Sequence, residues 1–239
     1  MSINQQPVII LVEPQMGANI GMCARAMLNC GLEELRLVNP REGWPNAAAI
    51  AAAADADRVL EKVTVFETLT DALKDCNRIF ATTARDRTLS IPVLPANEAA
   101  AEVVKSAAGG DRVAVLFGPE ASGLDNDAIA AADTLMRFPT NPEFSSLNLA
   151  QAVLLFGWEW RAVVPEGTEM VASETVKREE LDQFLERLEL ALDEKGFFLT
   201  PDMKPHSLRT LRAIFSKTRP TPKELKFLHG MLTALQKES

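Results

Sequence analysis

The residues best equipped for chemistry crowd into Asn141-Pro142-Glu143-Phe144-Ser145-Ser146-Leu147-Asn148-Leu149-Ala150. Two hydroxyls and an amide follow an Asn-Pro turn and stand directly before an apolar run, Leu147 to Trp160. A strand over 134–138 precedes them and a helix over 146–163 follows, so the backbone turns from strand to helix across the serines. The start of a helix carries N–H groups with no intrahelical partner, and these bind polar or anionic groups. The serines then have two readings: Ser145 or Ser146 caps the helix, or they serve a ligand. Two more stretches carry unusual polar groups, Asn19-Ile20-Gly21-Met22-Cys23-Ala24-Arg25 and Phe117-Gly118-Pro119-Glu120-Ala121-Ser122-Gly123-Leu124. Taken singly, Arg25 reads as a surface ion-pair residue and Glu120 as an acid placed near a helix start.

The elements that must position these groups alternate. Strands are expected at 8–13, 35–38, 63–66, 78–83, 113–117 and 134–138, from short β-branched or apolar runs. Helices are expected at 19–30 (with Asn19 as N-cap), 47–60, 69–76, 96–107, 125–131 and 146–163. Alternation of this kind defines an α/β fold, a mostly parallel sheet with helices on both faces. Ligands on such sheets bind outside the carboxyl ends of the strands, and the polar loops at Glu13, Thr82, Gly118 and Pro139 leave strands there. After a polar linker at 165–173, a helix over 174–195, a loop holding Pro201 and Pro205, and helices over 207–218 and 223–236 form a small all-helical C-terminal extension. The expected division is therefore 1–164, 165–173 and 174–239.

Composition limits the function classes. Apolar residues make up 47% of the 239 residues, enough for a packed core. No apolar run reaches the roughly 18 residues of a membrane span, and the N-terminus lacks the basic region of a signal peptide. The three cysteines form no Cys-x-x-Cys pair and there are two histidines, so no structural zinc site is expected. Unpaired cysteines and no leader point to the cytoplasm. No Walker A or Gly-x-Gly-x-x-Gly pattern follows any strand.

Net charge is −8, which argues superficially against nucleic acid, but it is unevenly spread. Residues 1–165 hold 13 basic and 20 acidic side chains, and residues 173–194 hold three basic and eight acidic ones. Residues 195–226 hold eight basic and two acidic ones. A basic segment on an acidic protein still attracts a polyanion, because the field is local within a Debye length of roughly 8–10 Å.

Together and in this order, Asn19-x-Gly21-x-x-x-Arg25, Phe117-Gly118-x-Glu120-x-x-Gly123-Leu124 and Ser146-Leu147-Asn148-Leu149-x-x-Ala152 resemble the SpoU-type branch of the SPOUT RNA ribose 2′-O-methyltransferases. The resemblance covers about residues 7–164. Gly196-Phe197 and Leu211-Arg212-x-x-Phe215-x-x-x-Arg219-Pro220 extend it to the tail of bacterial enzymes that methylate the ribose at position 32 of the tRNA anticodon loop. Pro119 and Phe144 depart from those enzymes, which often carry Arg and an aromatic hydroxyl there.

The resemblance implies a deep trefoil knot in the last part of the sheet, a homodimer with the site completed across its interface, and S-adenosylmethionine as methyl donor with no metal. It places the cofactor among Thr82, Thr83, Ala84, Gly118, Phe138, Ser145, Ser146 and Leu147. It makes Asn19, Arg25, Glu120, Ser146 and Asn148 the catalytic set. A permanently protonated guanidinium is a poor base, so Arg25 is read as a clamp on the phosphate and developing alkoxide, with Glu120 orienting Arg25 or Asn19. Lys204, Arg209, Arg212, Lys217 and Arg219 are the expected contacts to tRNA. Neither DNA nor a membrane is an expected partner. Rival readings are a methyltransferase for ribosomal RNA or another tRNA site, an idle RNA-binding module on the same fold, and a small-molecule methyltransferase.

Overall fold

In the computed structural model, residues 6–84, 91–164, 176–198, 203–218 and 220–236 are described. Arg219 and the linker expected at 165–173 lie outside them.

The two most apolar stretches, β1 (Val8–Val12) and β6 (Val113–Phe117), lie side by side at the centre of a seven-stranded sheet. On one side of β1 come β2 (Leu35–Val38) and β3 (Thr64–Phe66). On the far side of β6 come β4 (Arg78–Thr82), β7 (Thr134–Arg137) and β5 (Val93–Pro95), so the order is β3-β2-β1-β6-β4-β7-β5. Every pairing is parallel, with Ile9 opposite Leu35 and Val115, for example. Period-two alternation divides the strand residues between two buried faces. Ile9, Leu11, Phe80 and Val115 point to one core, Val8, Ile10, Ile79 and Ala114 to the other.

The first core is covered by α1 (Gly17–Asn29), α2 (Ala47–Ala53), α3 (Asp57–Leu60), α5 (Ala96–Ala108) and α7 (Leu149–Val163). The second is covered by α4 (Leu69–Leu73) and α6 (Asn126–Ala130). The motif glycine Gly21 serves this packing: a Cβ there would stand 2.0 Å from the Ala49 carbonyl oxygen. Bare backbone at 21 is what lets α2 lie against α1.

The helical extension is formed by α8 (Arg178–Glu194), α9 (Met203–Thr218) and α10 (Pro222–Gln236). Its own small core holds Leu181, Phe184, Leu185, Leu225 and Leu232, with the Phe184 ring edge-on to Phe215 and His229. The backbone N–H of Arg178 donates to the Cys76 carbonyl at 2.6 Å, which docks the start of α8 on the loop before β4.

Several expectations need correction. Asn19 is not an N-cap: α1 starts two residues earlier, after Met16. Its leading N–H groups are taken by carboxylates from distant loops, Gly17 N–H by Glu42 (2.8 Å), Gln15 and Met16 N–H by Glu120 (2.9 and 3.3 Å). Two acids at a helix start also suit its dipole. The helix expected over 47–60 breaks at Ala54 and Asp55, both at positive φ, so that Val59 and Leu60 turn back into the core. The helix expected from Ser146 starts at Leu149. Pro205 lies in the first turn of α9, not in a loop, where its missing N–H has no helical partner to lose. The strand β5, with Pro92 just before it and Pro95 at its end, is not among the expected strands. At a sheet edge the missing donors cost little.

Candidate active site

The cap of α7 is neither serine. Asn148 takes that place: its Oδ1 accepts from Ala150 N–H at 2.9 Å, and its own N–H donates to Gln151 Oε1 at 3.2 Å, a capping box. The serines before it are therefore not occupied with starting the helix. Ser145, Ser146 and Leu147 instead line a cavity of about 620 Å³ outside the carboxyl ends of β4, β6 and β7.

The rest of the cavity wall comes from three strand ends. The end of β4 supplies Thr82, Thr83 and Ala84, that of β6 supplies Phe117 and Gly118, and that of β7 supplies Arg137 and Phe138. All eight residues expected to hold a cofactor face this one space. Pro119, Leu124, Arg137, Thr140 and Pro142 line it too and were not among the residues expected to hold the cofactor. Arg137, as the residue before Phe138 at a strand's carboxyl end, carried the positional signal that would have found it.

The loop 118–124 is closed on itself. A Cβ on Gly118 would come within 2.3 Å of the Leu124 nitrogen and 2.5 Å of the Gly123 carbonyl carbon, both backbone. Gly123 turns the chain at φ +66° and donates its N–H to the Pro119 carbonyl at 2.9 Å. Leu124 anchors the loop in the second core. The resemblance places Gly118 beside the cofactor, and the loop's own backbone already demands a glycine there.

At the mouth of this cavity the three polar stretches meet. Asn19 Nδ2 donates to Glu120 Oε1 at 2.7 Å, and Asn148 Nδ2 donates to Asn19 Oδ1 at 3.2 Å. The chain Asn148–Asn19–Glu120 joins residues more than a hundred positions apart. Burial pushes the Glu120 carboxyl up, but the donors Asn19 Nδ2, Gln15 N–H and Met16 N–H outweigh it and hold the group below the usual carboxylate range. Burial, with the Glu120 charge beside it, pushes the Cys23 thiol far up, so that cysteine is an inert core residue.

Arg25 stands apart. It is exposed, lies outside the cavity lining, and makes no hydrogen bond or ion pair among the described residues. Glu120 orients Asn19, not Arg25. Six residues along one helix separate Asn19 from Arg25, a rise of about 9 Å with a turn to another face. Beside Arg25, α1 exposes Met22, and the neighbouring α7 exposes Leu154, Leu155 and Trp158, the last 69% accessible. Trp160, two residues on, is buried in the core.

The cations expected to meet RNA are mostly engaged within the chain. Lys204 pairs with Glu189 (3.0 Å) and Asp193 (2.8 Å), Arg209 with Asp127 (2.6 Å), and Arg212 with Asp182. Lys217 is exposed. Among the described residues no group of three His, Cys, Asp or Glu is arranged to hold a metal ion, and no helix is long and apolar enough to cross a membrane.

A parallel sheet with a cleft outside its strand ends, rimmed by amides, a carboxylate and hydroxyls, defines an α/β protein with its ligand site at the carboxyl ends of the strands. Residues 6–158 match the SpoU rRNA Methylase family, and the chain belongs to that family. Residues 179–239 match the C-terminal domain of the tRNA methyltransferase TrmJ. The chain is 35% identical to the tRNA (cytidine/uridine/adenosine-2′-O-)-methyltransferase TrmJ of Pseudomonas aeruginosa, over 96% of this chain and 93% of that protein. It is 37% identical to the tRNA (cytidine/uridine-2′-O-)-methyltransferase TrmJ of Yersinia pestis, over 96% and 91%. The crystal structure of TrmJ from Z. mobilis ZM4 superposes with a TM-score of 0.88 at 45% identity, covering 97% of this chain and all of that one. The fold is that of the SPOUT methyltransferases and the chain is an RNA 2′-O-methyltransferase by family.

Proposed function

We propose that the protein transfers a methyl group from S-adenosylmethionine to a ribose 2′-oxygen of tRNA, at nucleotide 32 of the anticodon loop, in the cytoplasm. The observation that carries this reading is the hydrogen-bonded chain Asn148–Asn19–Glu120 at the mouth of the cleft, which brings all three motif stretches to one place. Likeness to tRNA 2′-O-methyltransferases along nearly the whole chain, tail included, supports tRNA over ribosomal RNA. DNA has no 2′-oxygen to accept the methyl group.

The cleft fits the cofactor. Its volume of about 620 Å³ lies in the range of small-molecule sites, roughly 300–1,000 Å³. Its wall mixes apolar surface (Phe117, Phe138, Leu147) with hydroxyls and loop backbone that can read an adenine edge. When bound, S-adenosylmethionine supplies an electrophilic methyl group on a sulfonium, a transfer that needs no metal. The residues of this chain hold the reactants in line, the main source of rate in such a step. Ser146 and Asn148 hold the ribose and the motif loop. Arg25 grips the adjacent phosphate and stabilises the charge that develops on the 2′-oxygen, whose proton is lost to solvent water as the methyl bond forms.

Arg25 reaches that position from a second copy of the chain. The apolar strip of Met22, Leu154, Leu155 and Trp158 beside it supports a homodimer built on α1 and α7. The family's knot, threaded through the last part of the sheet, belongs to the same reading.

The test is transfer of labelled methyl from S-adenosylmethionine to unmodified total tRNA and, separately, to ribosomal RNA, followed by mapping of the labelled nucleotide. Label on a 2′-O-methylated nucleotide 32 is the expected result. Label only in ribosomal RNA overturns the substrate, and no label with cofactor bound overturns the activity.

A further inference from the structure

The C-terminal extension is tied to the catalytic fold by one of the cations that the sequence nominates for RNA. Arg209 on α9 donates from Nε at 2.9 Å and from Nη2 at 2.6 Å to Oδ1 of Asp127 on α6. The two sides differ in accessibility: Asp127 is 76% exposed and Arg209 35%. Arg212, one turn further along α9, is different. Its partner Asp182 is only 13% exposed and also holds Arg178, itself 4% exposed, at 3.3 Å. That pair belongs to the joint. The Arg209 pair hangs at its wet edge.

Two features make the contact able to open. Between α4, α6, α8 and α9 lies a second cavity of about 620 Å³, so α9 does not seal against the sheet domain by close packing. Water-exposed ion pairs also hold only weakly, because solvent screens them and ordering two side chains costs entropy. A tRNA phosphate offers the same guanidinium a charged oxygen acceptor, with the chance of a two-oxygen contact that Asp127 does not make, and adds the release of condensed counterions.

We propose that Arg209–Asp127 is an exchangeable clasp: tRNA backbone phosphate displaces the Asp127 carboxylate from Arg209, and α9 leaves α6 as tRNA is captured. This rests on the tRNA reading above. The consequence for the site is short-range. Asp127 is three residues from Leu124, which lines the cofactor cleft, and sits in the first turn of α6, a five-residue helix capped by Asp125, whose Oδ1 accepts from Ala128 N–H at 2.7 Å. Opening the clasp removes a restraint on the first turn of the helix that follows the 118–124 loop, while Ala128 and Ile129 keep that helix in the core. By linkage, whatever steadies that loop also biases the clasp.

The experiment is equilibrium binding of unmodified tRNA to the full-length protein at low salt, for wild type, Asp127→Asn, Asp127→Ser and Arg209→Ala. Removing the competing carboxylate is expected to tighten tRNA binding about two- to fivefold, the size of a surface pair, while Arg209→Ala weakens it. In wild type, amide hydrogen exchange of α6 rises when tRNA is added, and in Arg209→Ala it does not. If both Asp127 variants bind tRNA no tighter than wild type, or if α6 exchange is unmoved by tRNA, the clasp is wrong. In that case methyl transfer to tRNA by wild type still stands by itself. If wild type neither binds nor methylates tRNA, the functional reading fails and the clasp with it.

Discussion

Replacing Glu120 by Gln tests the chain of amides at the cleft. A carboxylate only accepts, so Glu120 forces Asn19 to present its NH2 group toward it. Asn19 then has its oxygen toward Asn148, which must present NH2 in turn. That leaves Asn148 Oδ1 for the Ala150 N–H that starts α7. One acceptor-only group thus sets the direction of two amides and of a helix cap. In Glu120→Gln one of the two oxygens becomes a donor. If it faces Gln15, one backbone donor loses its partner. If it faces Asn19 and Met16, one backbone donor and the Asn19 amide lose theirs, and a flipped Asn19 would push NH2 against NH2 at Asn148. Hydrogen bonds to a charged group contribute about 1.5–3 kcal/mol, and at this half-exposed position the lower half of that range applies. The expected loss of about 1.5–2 kcal/mol lowers the melting temperature by about 3–8 °C for a chain of this size. On the proposed role of Asn148 in holding the ribose, kcat should also fall, about tenfold, with cofactor affinity changed less. Thermal unfolding, cofactor titration and single-turnover methyl transfer measure the three. A Glu120→Gln protein with wild-type melting and turnover within twofold of wild type would refute the relay.

Gly118→Ala drives a Cβ into the Leu124 and Gly123 backbone; an overpacking cost of about 1–3 kcal/mol should appear as cofactor affinity reduced about tenfold or more in a binding titration. Arg25→Ala should abolish turnover with cofactor binding intact, and Arg25→Lys retaining most activity would argue against a need for the guanidinium fork. Trp158→Glu should lower the dimer fraction in analytical ultracentrifugation while leaving the monomer fold, since Trp158 is largely exposed. Asp75 is held at about 2, first by the hydrogen bond from the buried Arg36 guanidinium, against the desolvation that raises it. A depressed carboxyl stabilises the fold above its unfolded value of about 3.9 and loses that contribution as pH falls through about 2. Asp75 is about half exposed, so screening reduces the effect to about 1 kcal/mol; acid titration of Asp75→Asn should lack that step.

Six of the seven strands were legible because each is a short apolar run, and a parallel sheet buried on both faces leaves no other pattern. The helix starts were not. Asn19 has the residue type of a cap, yet Glu42 and Glu120 arrive from other loops to take the N–H groups before it. No local rule shows that, because the partners are 25 and about 105 residues away. The start of α7 was misplaced at Ser146 for the reverse reason: three good cap residues stand within four positions, and Gln151, three after Asn148, was the local signal for which one wins. The motif glycines carry the same lesson. Gly118 is expected beside the cofactor from the sequence, yet in three dimensions it and Gly21 each make room for the protein's own backbone.

Charge was the most misleading signal. The basic stretch 195–226 reads as an RNA surface only while the acidic stretch before it is treated separately. Folded, α8 and α9 are neighbours, and Glu189, Asp193 and Asp182 of the first neutralise Lys204 and Arg212 of the second. Pairs made within the helical extension are settled by the packing of its small core, and RNA has to compete with partners already in place. Arg209 alone of these three reaches across to the sheet domain, to a carboxylate that is mostly in water. A tail that binds tRNA through this face must first give up contacts with its own chain, and the weakest of them touches the helix that follows the cofactor loop. Substrate capture and the shape of the catalytic cleft are therefore joined at Asp127, and neither local charge nor a motif in the sequence marks that residue.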